Sequence, residues 1–97
     1  MPRRSRARYS HYSWKTGLQS THSVCRVLGD EIRNARKAAR LTQEELAFRA
    51  CVSRNYVSLL ELGEKSPTVD TLMRICDAMG TRASELLAAV ERRRQRR

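Results

Sequence analysis

The stretch "LTQEELAFRACVSRNYVSLLELG" constrains the fold of this chain more than any other. Thr42 is a favourable N-cap, and Glu45 three residues later completes a capping box, so a helix starts here. That helix is short because a break follows at Cys51, where Ser53 can cap a new helix. Gly63 ends the new helix, since glycine favours the left-handed conformation found just after helices. The stretch therefore predicts two short helices joined by only a few residues.

Apolar residues at helical spacing predict further helices on both sides. Leu28, Ile32, Ala35 and Ala39 follow the i, i+4, i+7, i+11 pattern, which predicts a first helix beginning near Val24. The other residues predicted to face inward are Leu46, Ala47, Ala50, Val57, Leu60, Val69, Leu72, Ile75, Cys76, Met79, Leu86, Leu87 and Val90. A fourth helix opens at Thr68 and stops at Gly80, and a fifth follows. With no strand pattern, the chain is expected to be all-α, a compact five-helix domain.

The distribution of charge divides the chain into three segments. The formal net charge is +10, yet residues 24–90 contribute only +1 of it. We therefore predict a basic, disordered N-terminal arm (residues 1–23), a domain (24–90) and a flexible Arg-rich tail (91–97). A basic chain of this kind favours a polyanionic partner, although basic tails can also serve solubility alone. In the arm, Tyr9, Tyr12 and Trp14 can stack on bases, or the arm carries no function.

Several classes of protein are excluded by what the sequence lacks. Three cysteines lie far apart, with no Cys-x-x-Cys pair and no nearby His, which argues against a disulfide scaffold and a zinc site. No nucleophile–base pair, metal cluster or cofactor motif is present, so no enzyme, metal or cofactor is expected. No apolar run approaches membrane-spanning length, and no secretory signal is recognisable. We expect a cytoplasmic protein with free thiols.

The third helix has a polar leading face and an apolar back. Arg54, Asn55, Tyr56 and Ser58 point outward, while Val57 and Leu60 anchor the helix to the core. Arginine binds guanine with two hydrogen bonds, asparagine binds adenine in the same way, and tyrosine and serine reach phosphates or bases. Two helices joined by a short turn can place the first across a DNA backbone and the second in the major groove. Double-stranded DNA is therefore the expected partner.

The segment "LTQEELAFRACVSRNYVSLLELGEKSPTVDTLMRICDAMG" resembles the lambda-repressor-like, Cro/cI-type helix-turn-helix domain of the xenobiotic-response-element type. The family pattern reads Leu-Ser/Thr-Gln-Glu-x-Leu-Ala, a Val-Ser turn, a helix ending in Glu-x-Gly, and Pro-x-x-x-Thr-Leu. The resemblance runs from about Leu28 to Leu87. The part "SRNYVSLLELG" is also similar, more weakly, to restriction–modification controller proteins, which are small, dimeric and autoregulatory.

The resemblance implies a role for individual residues. The positions implied to contact bases are Arg54, Asn55, Ser58 and Leu59. The positions implied to contact the DNA backbone are Gln43, Ser53, Tyr56 and Lys65. Gln43 matches the family's phosphate-contacting glutamine, at a helix N-terminus whose free N–H groups attract anions. Arg36 and Glu61 match a pair that forms an interior salt bridge in many members, and we interpret them as structural.

The chain departs from the family pattern at a few positions. Cys51 stands where the turn normally has glycine, so a positive φ there implies modest strain. Its thiol permits redox sensing, and the simpler alternative is a plain substitution by a small residue. Leu59 is apolar where the family often has a polar residue, so it fits a thymine methyl group or a protein contact. Leu62 also replaces a polar residue, and Arg82 replaces the usual N-cap serine of the fifth helix.

Two functions from different classes follow. The first is a sequence-specific transcriptional regulator, activator or repressor, that binds a palindromic operator as a homodimer. Leu86, Leu87 and Val90 would lie partly at the dimer interface, or they simply close the core of the monomer. The alternative is an antitoxin-type protein-interaction module, which binds a toxin partner through residues 1–23 and autoregulates its operon.

Overall fold

The computed structural model describes the backbone of residues 17–95 and the side chains of residues 24–95. Within that range the chain forms five helices and no strand, so the all-α, five-helix prediction is confirmed. In chain order they are α1 (Gly17–Ala38), α2 (Gln43–Ala50), α3 (Arg54–Glu61), α4 (Val69–Met79) and α5 (Ala83–Gln95). Helix α1 packs on α5 and α3, and α2 packs on α3 and α4. Helices α2 and α3 therefore lie side by side, each also packed on one other helix.

The three middle helices begin where the sequence predicts. The Thr42 hydroxyl accepts a hydrogen bond from the Glu45 amide at 3.0 Å, and the Glu45 carboxylate accepts one from the Thr42 amide at 2.8 Å. This is the complete capping box. Ser53 caps α3 and Thr68 caps α4 through the same kind of side-chain acceptor. Each cap satisfies an amide that the first turn of a helix otherwise leaves without a partner.

The outer helices reach further than predicted. Helix α1 begins at Gly17 rather than near Val24, so residues 17–23 of the expected arm are helical. Propagating a helix that is already anchored needs no apolar side chains, which is why the pattern gave no signal there. Helix α5 likewise continues to Gln95, into the expected tail. Residues 1–16 lie outside the described residues, as do residues 96 and 97. They include most of the 1–23 arm of the toxin-binding alternative, and Tyr9, Tyr12 and Trp14, for which stacking on bases is predicted.

The core is aliphatic, as the small number of aromatic residues requires. Its buried members are Leu28, Ile32, Leu41, Leu46, Ala47, Ala50, Val57, Leu60, Leu72, Ile75, Cys76, Met79, Leu86 and Val90. Two residues predicted to face inward do not: Val69 is 76% exposed and Leu87 is 42% exposed. Val69 is the first residue of α4, where no other element covers it. Leu87 is rotated about 100° from Leu86 around the α5 axis, so it does not lie on the buried face of the helix.

Two glycines allow α1 to approach the end of α3 at backbone distance. A Cβ atom on Gly29 would lie 2.4 Å from the carbonyl oxygen of Leu60 and 2.8 Å from that of Glu61. Just after α3, Gly63 has a φ of +79°, and a Cβ there would lie 2.9 Å from the Cα of Arg26. Both clashes involve main-chain atoms, which cannot swing aside. The contact between α1 and α3 therefore depends on glycine at both positions.

The tail arginines are partly used within the fold. The Arg93 guanidinium donates to the Glu31 carboxylate at 3.0 Å and to the Asp30 carboxylate at 3.2 Å, which ties α5 to α1. These hydrogen bonds raise the pKa of Arg93, so it stays charged at any physiological pH. Arg93, a residue of the predicted tail, is therefore held against α1.

Substituting Gly29 and, in a separate variant, Gly80 should distinguish the cost of a steric clash from the cost of backbone strain. Gly29→Ala should lower the free energy of unfolding by about 3 kcal/mol, because the new methyl group meets main-chain carbonyls. Gly80 has a φ of +71°, but a Cβ atom there would meet nothing within 4 Å. Gly80→Ala should therefore cost only about 1 kcal/mol, from the left-handed conformation alone. Urea unfolding followed by circular dichroism measures both, and equal losses would contradict the close-packing account.

Candidate nucleic-acid interface

Helix α3 presents its predicted base-contacting residues on a surface that is at least partly open. Arg54 and Asn55, its first two residues, are exposed, and Ser58 and Leu59 in its second turn are half-buried. The opposite face of the helix is held by Val57 and Leu60, which are 0% and 2% exposed. The helix thus combines a fully buried back with a polar leading end, as the sequence indicated.

The residues predicted to contact a DNA backbone lie around α3 on different elements. Gln43 is the first residue of α2, and Ser53 is the N-cap of α3. Tyr56 is half-buried against the core, and Lys65 is exposed in the loop that follows α3. The Ser53 hydroxyl accepts a hydrogen bond from the Tyr56 amide at 3.0 Å, which leaves its own O–H free to donate elsewhere.

The first turns of α2 and α3 differ in charge. Helix α2 carries Glu44 and Glu45 in its first turn, whereas α3 carries no acidic residue there and begins with Arg54. A helix N-terminus has a partial positive charge, which the carboxylates of α2 offset. The N-terminus of α3 keeps its partial positive charge, and Arg54 adds a full positive charge there. Of the two helices, α3 therefore has the end better suited to a polyanion.

A buried ion pair lies behind these residues. Arg36 of α1 donates from Nε to Oε2 of Glu61 at 2.6 Å and from Nη2 to Oε1 at 3.0 Å. The two side chains are only 11% and 4% exposed. Arg36 also donates from Nη1 to the carbonyl oxygen of Leu41 at 2.9 Å. The interior salt bridge implied by the resemblance is thus present, and each of the three Arg36 nitrogens donates a hydrogen bond.

Gln43 joins the same network, which sequence reasoning missed. Its Nε2 donates to Oε1 of Glu61 at 3.0 Å, so the start of α2 is bonded to the end of α3. The two residues are 18 positions apart, and no helical or turn spacing relates them. Only the packing of the two helices brings them together. A polar residue at each of these helix ends, beside a buried arginine, was the one available hint.

The turn between α2 and α3 contains the expected strained residue. Cys51 caps α2 in the left-handed conformation, with φ of 61° and ψ of 44°. For a residue with a side chain this conformation costs about 1–2 kcal/mol. Its thiol is exposed, whereas Cys25 and Cys76 are buried, and all three are free. Burial raises the pKa of the Cys76 thiol, which keeps it protonated and unreactive at neutral pH.

Other kinds of site find no support in the described residues. Between residues 17 and 95, no group of three or more His, Cys, Asp or Glu side chains is arranged to hold a metal ion. Among the same five helices, none is both long and apolar enough to span a bilayer. A shallow groove between α4 and α5 is lined partly by Met73, Asp77, Arg82 and Leu87. None of the residues that line this groove is predicted to contact DNA.

Comparison with known sequences gives a consistent result. The family described as helix-turn-helix matches residues 32–86. Over 66 residues the chain is 35% identical to an uncharacterized HTH-type transcriptional regulator, y4dJ, of Sinorhizobium fredii, covering 68% of this chain and 86% of that protein. It is 29% identical over 68 residues to the control protein C.BamHI of Bacillus amyloliquefaciens, covering 69% and 84% of the two chains. These names are those of regulators and control proteins rather than enzymes.

Solved structures share the helical arrangement. The clp gene regulator ClgR from Corynebacterium glutamicum superposes with a TM-score of 0.68 at 31% identity, over 70% of this chain and 72% of that one. The restriction-modification controller protein C.AhdI from Aeromonas hydrophila superposes with a TM-score of 0.62 at 29% identity, over 64% and 94% of the two chains. The weaker similarity to controller proteins seen in the sequence therefore extends to the fold.

The buried ion pair gives a testable asymmetry. Glu61→Ala should lower the free energy of unfolding by about 3–5 kcal/mol, because it leaves the Arg36 charge buried without a partner. Replacing both residues, Arg36→Met with Glu61→Leu, should restore stability to within about 1 kcal/mol of the native protein. Urea unfolding of the three proteins measures this. If the double variant is as unstable as Glu61→Ala, the charge interaction itself, and not only the unpaired charge, determines stability.

Proposed function

We propose, since the chain belongs to the helix-turn-helix family of transcriptional regulators, that it recognises a specific duplex DNA sequence with α3 in the major groove. The observation that carries the proposal is the form of α3, a helix with a buried apolar back and a leading end of exposed Arg54 and Asn55. A groove-reading helix needs both, because base contacts give specificity only when the helix is held rigidly. A protein that merely coats nucleic acid needs neither.

The proposed base contacts follow from side-chain chemistry. Arg54 donates two hydrogen bonds to guanine, and Asn55 both donates to and accepts from adenine. Ser58 bonds a base edge, and Leu59 packs against a thymine methyl group. All four lie on the first two turns of α3, the part of a recognition helix that enters the groove. Changing any one should alter preference at one base pair.

The proposed backbone contacts set the register of α3 on the duplex. Gln43 and Tyr56 donate to phosphates on either side of the groove, and Lys65 supplies a charge from the loop. Ser53 donates through the hydroxyl proton that its capping interaction leaves available. Such contacts carry no sequence information but contribute much of the affinity.

We further propose that two copies bind together, through the groove between α4 and α5. Leu86 and Val90 are each 4% exposed within the protomer, which favours the alternative that these two residues close the core of the monomer. Met73 and Leu87 line the groove and are 49% and 42% exposed, which makes them the apolar contacts available to a second copy. Asp77 and Arg82 line the same groove. Across a two-fold axis, each acid can face the base of the other copy.

A two-fold dimer predicts the form of the operator. The two α3 helices would enter successive major grooves on one side of the duplex, about 34–36 Å apart, so the site should be palindromic. The duplex DNA target and the three free thiols fit the cytoplasmic location expected from the sequence. The direction of regulation depends on where the operator lies relative to a promoter.

Selection of binding sites from a random duplex library with the full-length protein tests the base contacts. It should return a palindrome. Arg54→Ala and Asn55→Ala should each lower the preference for that operator over unrelated duplex by about 5- to 150-fold, as expected for loss of one bidentate pair. Arg92→Ala, which removes the same charge from the exposed face of α5, should weaken binding to both duplexes equally. Unchanged operator preference in both α3 variants would refute the assignment.

Charge placed in the groove tests the dimer. Leu87→Asp should yield a monomer in sedimentation velocity at concentrations where the native protein is a dimer. Operator affinity should fall about 10²-fold or more, because the second half-site no longer binds within one complex. Phe48→Ser is the matched control, since Phe48 is an 86% exposed apolar residue on α2, outside the groove. A Leu87→Asp protein that remains dimeric would place the interface elsewhere.

A further inference from the structure

We infer that Glu61 is a positioning residue for DNA-backbone recognition, because it holds the Gln43 amide in one orientation as a ready phosphate donor. The inference rests on the proposed function, since it assigns a mechanism to the contact between Gln43 and DNA. It gives Glu61 a role beyond its ion pair with Arg36. The observation that carries it is the 3.0 Å hydrogen bond from Gln43 Nε2 to Glu61 Oε1.

Chemistry fixes which way the Gln43 amide faces. A glutamine side chain can usually be turned over, because its nitrogen and oxygen have similar shapes. Glu61 is the ion-pair partner of Arg36, and a carboxylate offers only acceptors, so the nitrogen of Gln43 must face it. One N–H of that nitrogen is then used by Glu61. The second N–H is left to donate to another acceptor.

The position of Gln43 turns that second N–H into a useful group. Gln43 is the first residue of α2, so its side chain lies at the solvent-facing start of that helix. The side chain is half-buried, which leaves it accessible to a phosphate oxygen. A side chain that is already ordered loses little conformational freedom on binding, whereas a mobile glutamine loses much more.

The hydrogen bond also aligns the proposed phosphate contact with the reading helix. Glu61 is the last residue of α3, and its carboxylate is fixed by two hydrogen bonds from Arg36. Arg36 is fixed in turn by the carbonyl oxygen of Leu41, just before α2. Any displacement of α3 relative to α2 would stretch this chain of bonds. The donor on α2 and the base contacts on α3 therefore approach DNA as one unit.

A double-mutant cycle tests the coupling, with the full-length protein and a mixed-sequence duplex about two helical turns long as the probe. The affinity for this duplex is measured at one fixed salt concentration, because a neutral amide releases no counterion and its contact with phosphate shows in the affinity rather than in the salt dependence. Gln43→Ala should lower the affinity about 10-fold or more in the native background, as expected for loss of a hydrogen bond to a charged group. In the Arg36→Met, Glu61→Leu background, Gln43→Ala should change the affinity very little, since Gln43 is no longer oriented.

Each result bears on the inference. An equal effect of Gln43→Ala in both backgrounds would show that Gln43 contacts phosphate without Glu61, and would overturn it. No effect in the native background would overturn it as well. Because the affinity is measured on an arbitrary duplex, these outcomes are independent of whether an operator exists. Failure of site selection alone would therefore count against the proposed function and not against the role of Glu61.

A second measurement needs no change in the core and so covers the case in which the double variant fails to fold. Nitrogen relaxation of the Gln43 side-chain amide in the native protein, without DNA, should give an order parameter above about 0.6, the upper limit for flexible groups. The exposed Gln95 amide on α5 serves as the mobile reference. A Gln43 amide as mobile as that of Gln95 would overturn the inference.

Discussion

The buried ion pair between Arg36 and Glu61 is the interaction on which the rest of this structure depends. It lies where α1, the start of α2 and the end of α3 meet, and it has hydrogen-bonded partners on each. Two charges withdrawn from water are tolerable only when their geometry is good and further hydrogen bonds satisfy the buried polar atoms. No buried polar side-chain atom among the described residues lacks a partner. Directional hydrogen bonds to Glu61 therefore constrain the relative position of α2 and α3 in addition to the aliphatic core.

Close packing supports the same arrangement. At Gly29, α1 approaches the last carbonyls of α3 so closely that even a methyl group would not fit. A helix of only eight residues has little stability alone, so α3 owes its rigidity to this contact and to Val57 and Leu60. The C-terminal end of α3 is held by the contact with Gly29, and this leaves the polar N-terminal end available for binding. Stability and recognition are thus assigned to opposite ends of one short helix.

Much of this could be predicted from the sequence, where the signal is local. The capping box at Thr42, the cap at Ser53 and the positive φ at Cys51 depend on neighbouring residues and were all confirmed. Properties that depend on packing between distant parts of the chain could not be predicted from the sequence. Nothing near Gln43 in the sequence points to Glu61. Whether Leu87 is buried depends on which other elements pack against that face of α5. The predicted DNA contacts are of a third kind, since they concern a partner that the chain itself does not specify.

The spacing of Gly29 and Arg36 limits how this fold can be altered. They are seven residues apart on α1, two helical turns, and both act on Glu61, one on its backbone and the other on its carboxylate. A single insertion or deletion between them would rotate one away from α3 by about 100°. The exposed positions in this part of α1 therefore tolerate substitution far better than the segment tolerates a change of length. A chimaera that exchanges the reading helix for that of a relative should carry residues 29–36 with it, because the portable unit is larger than the helix-turn-helix itself.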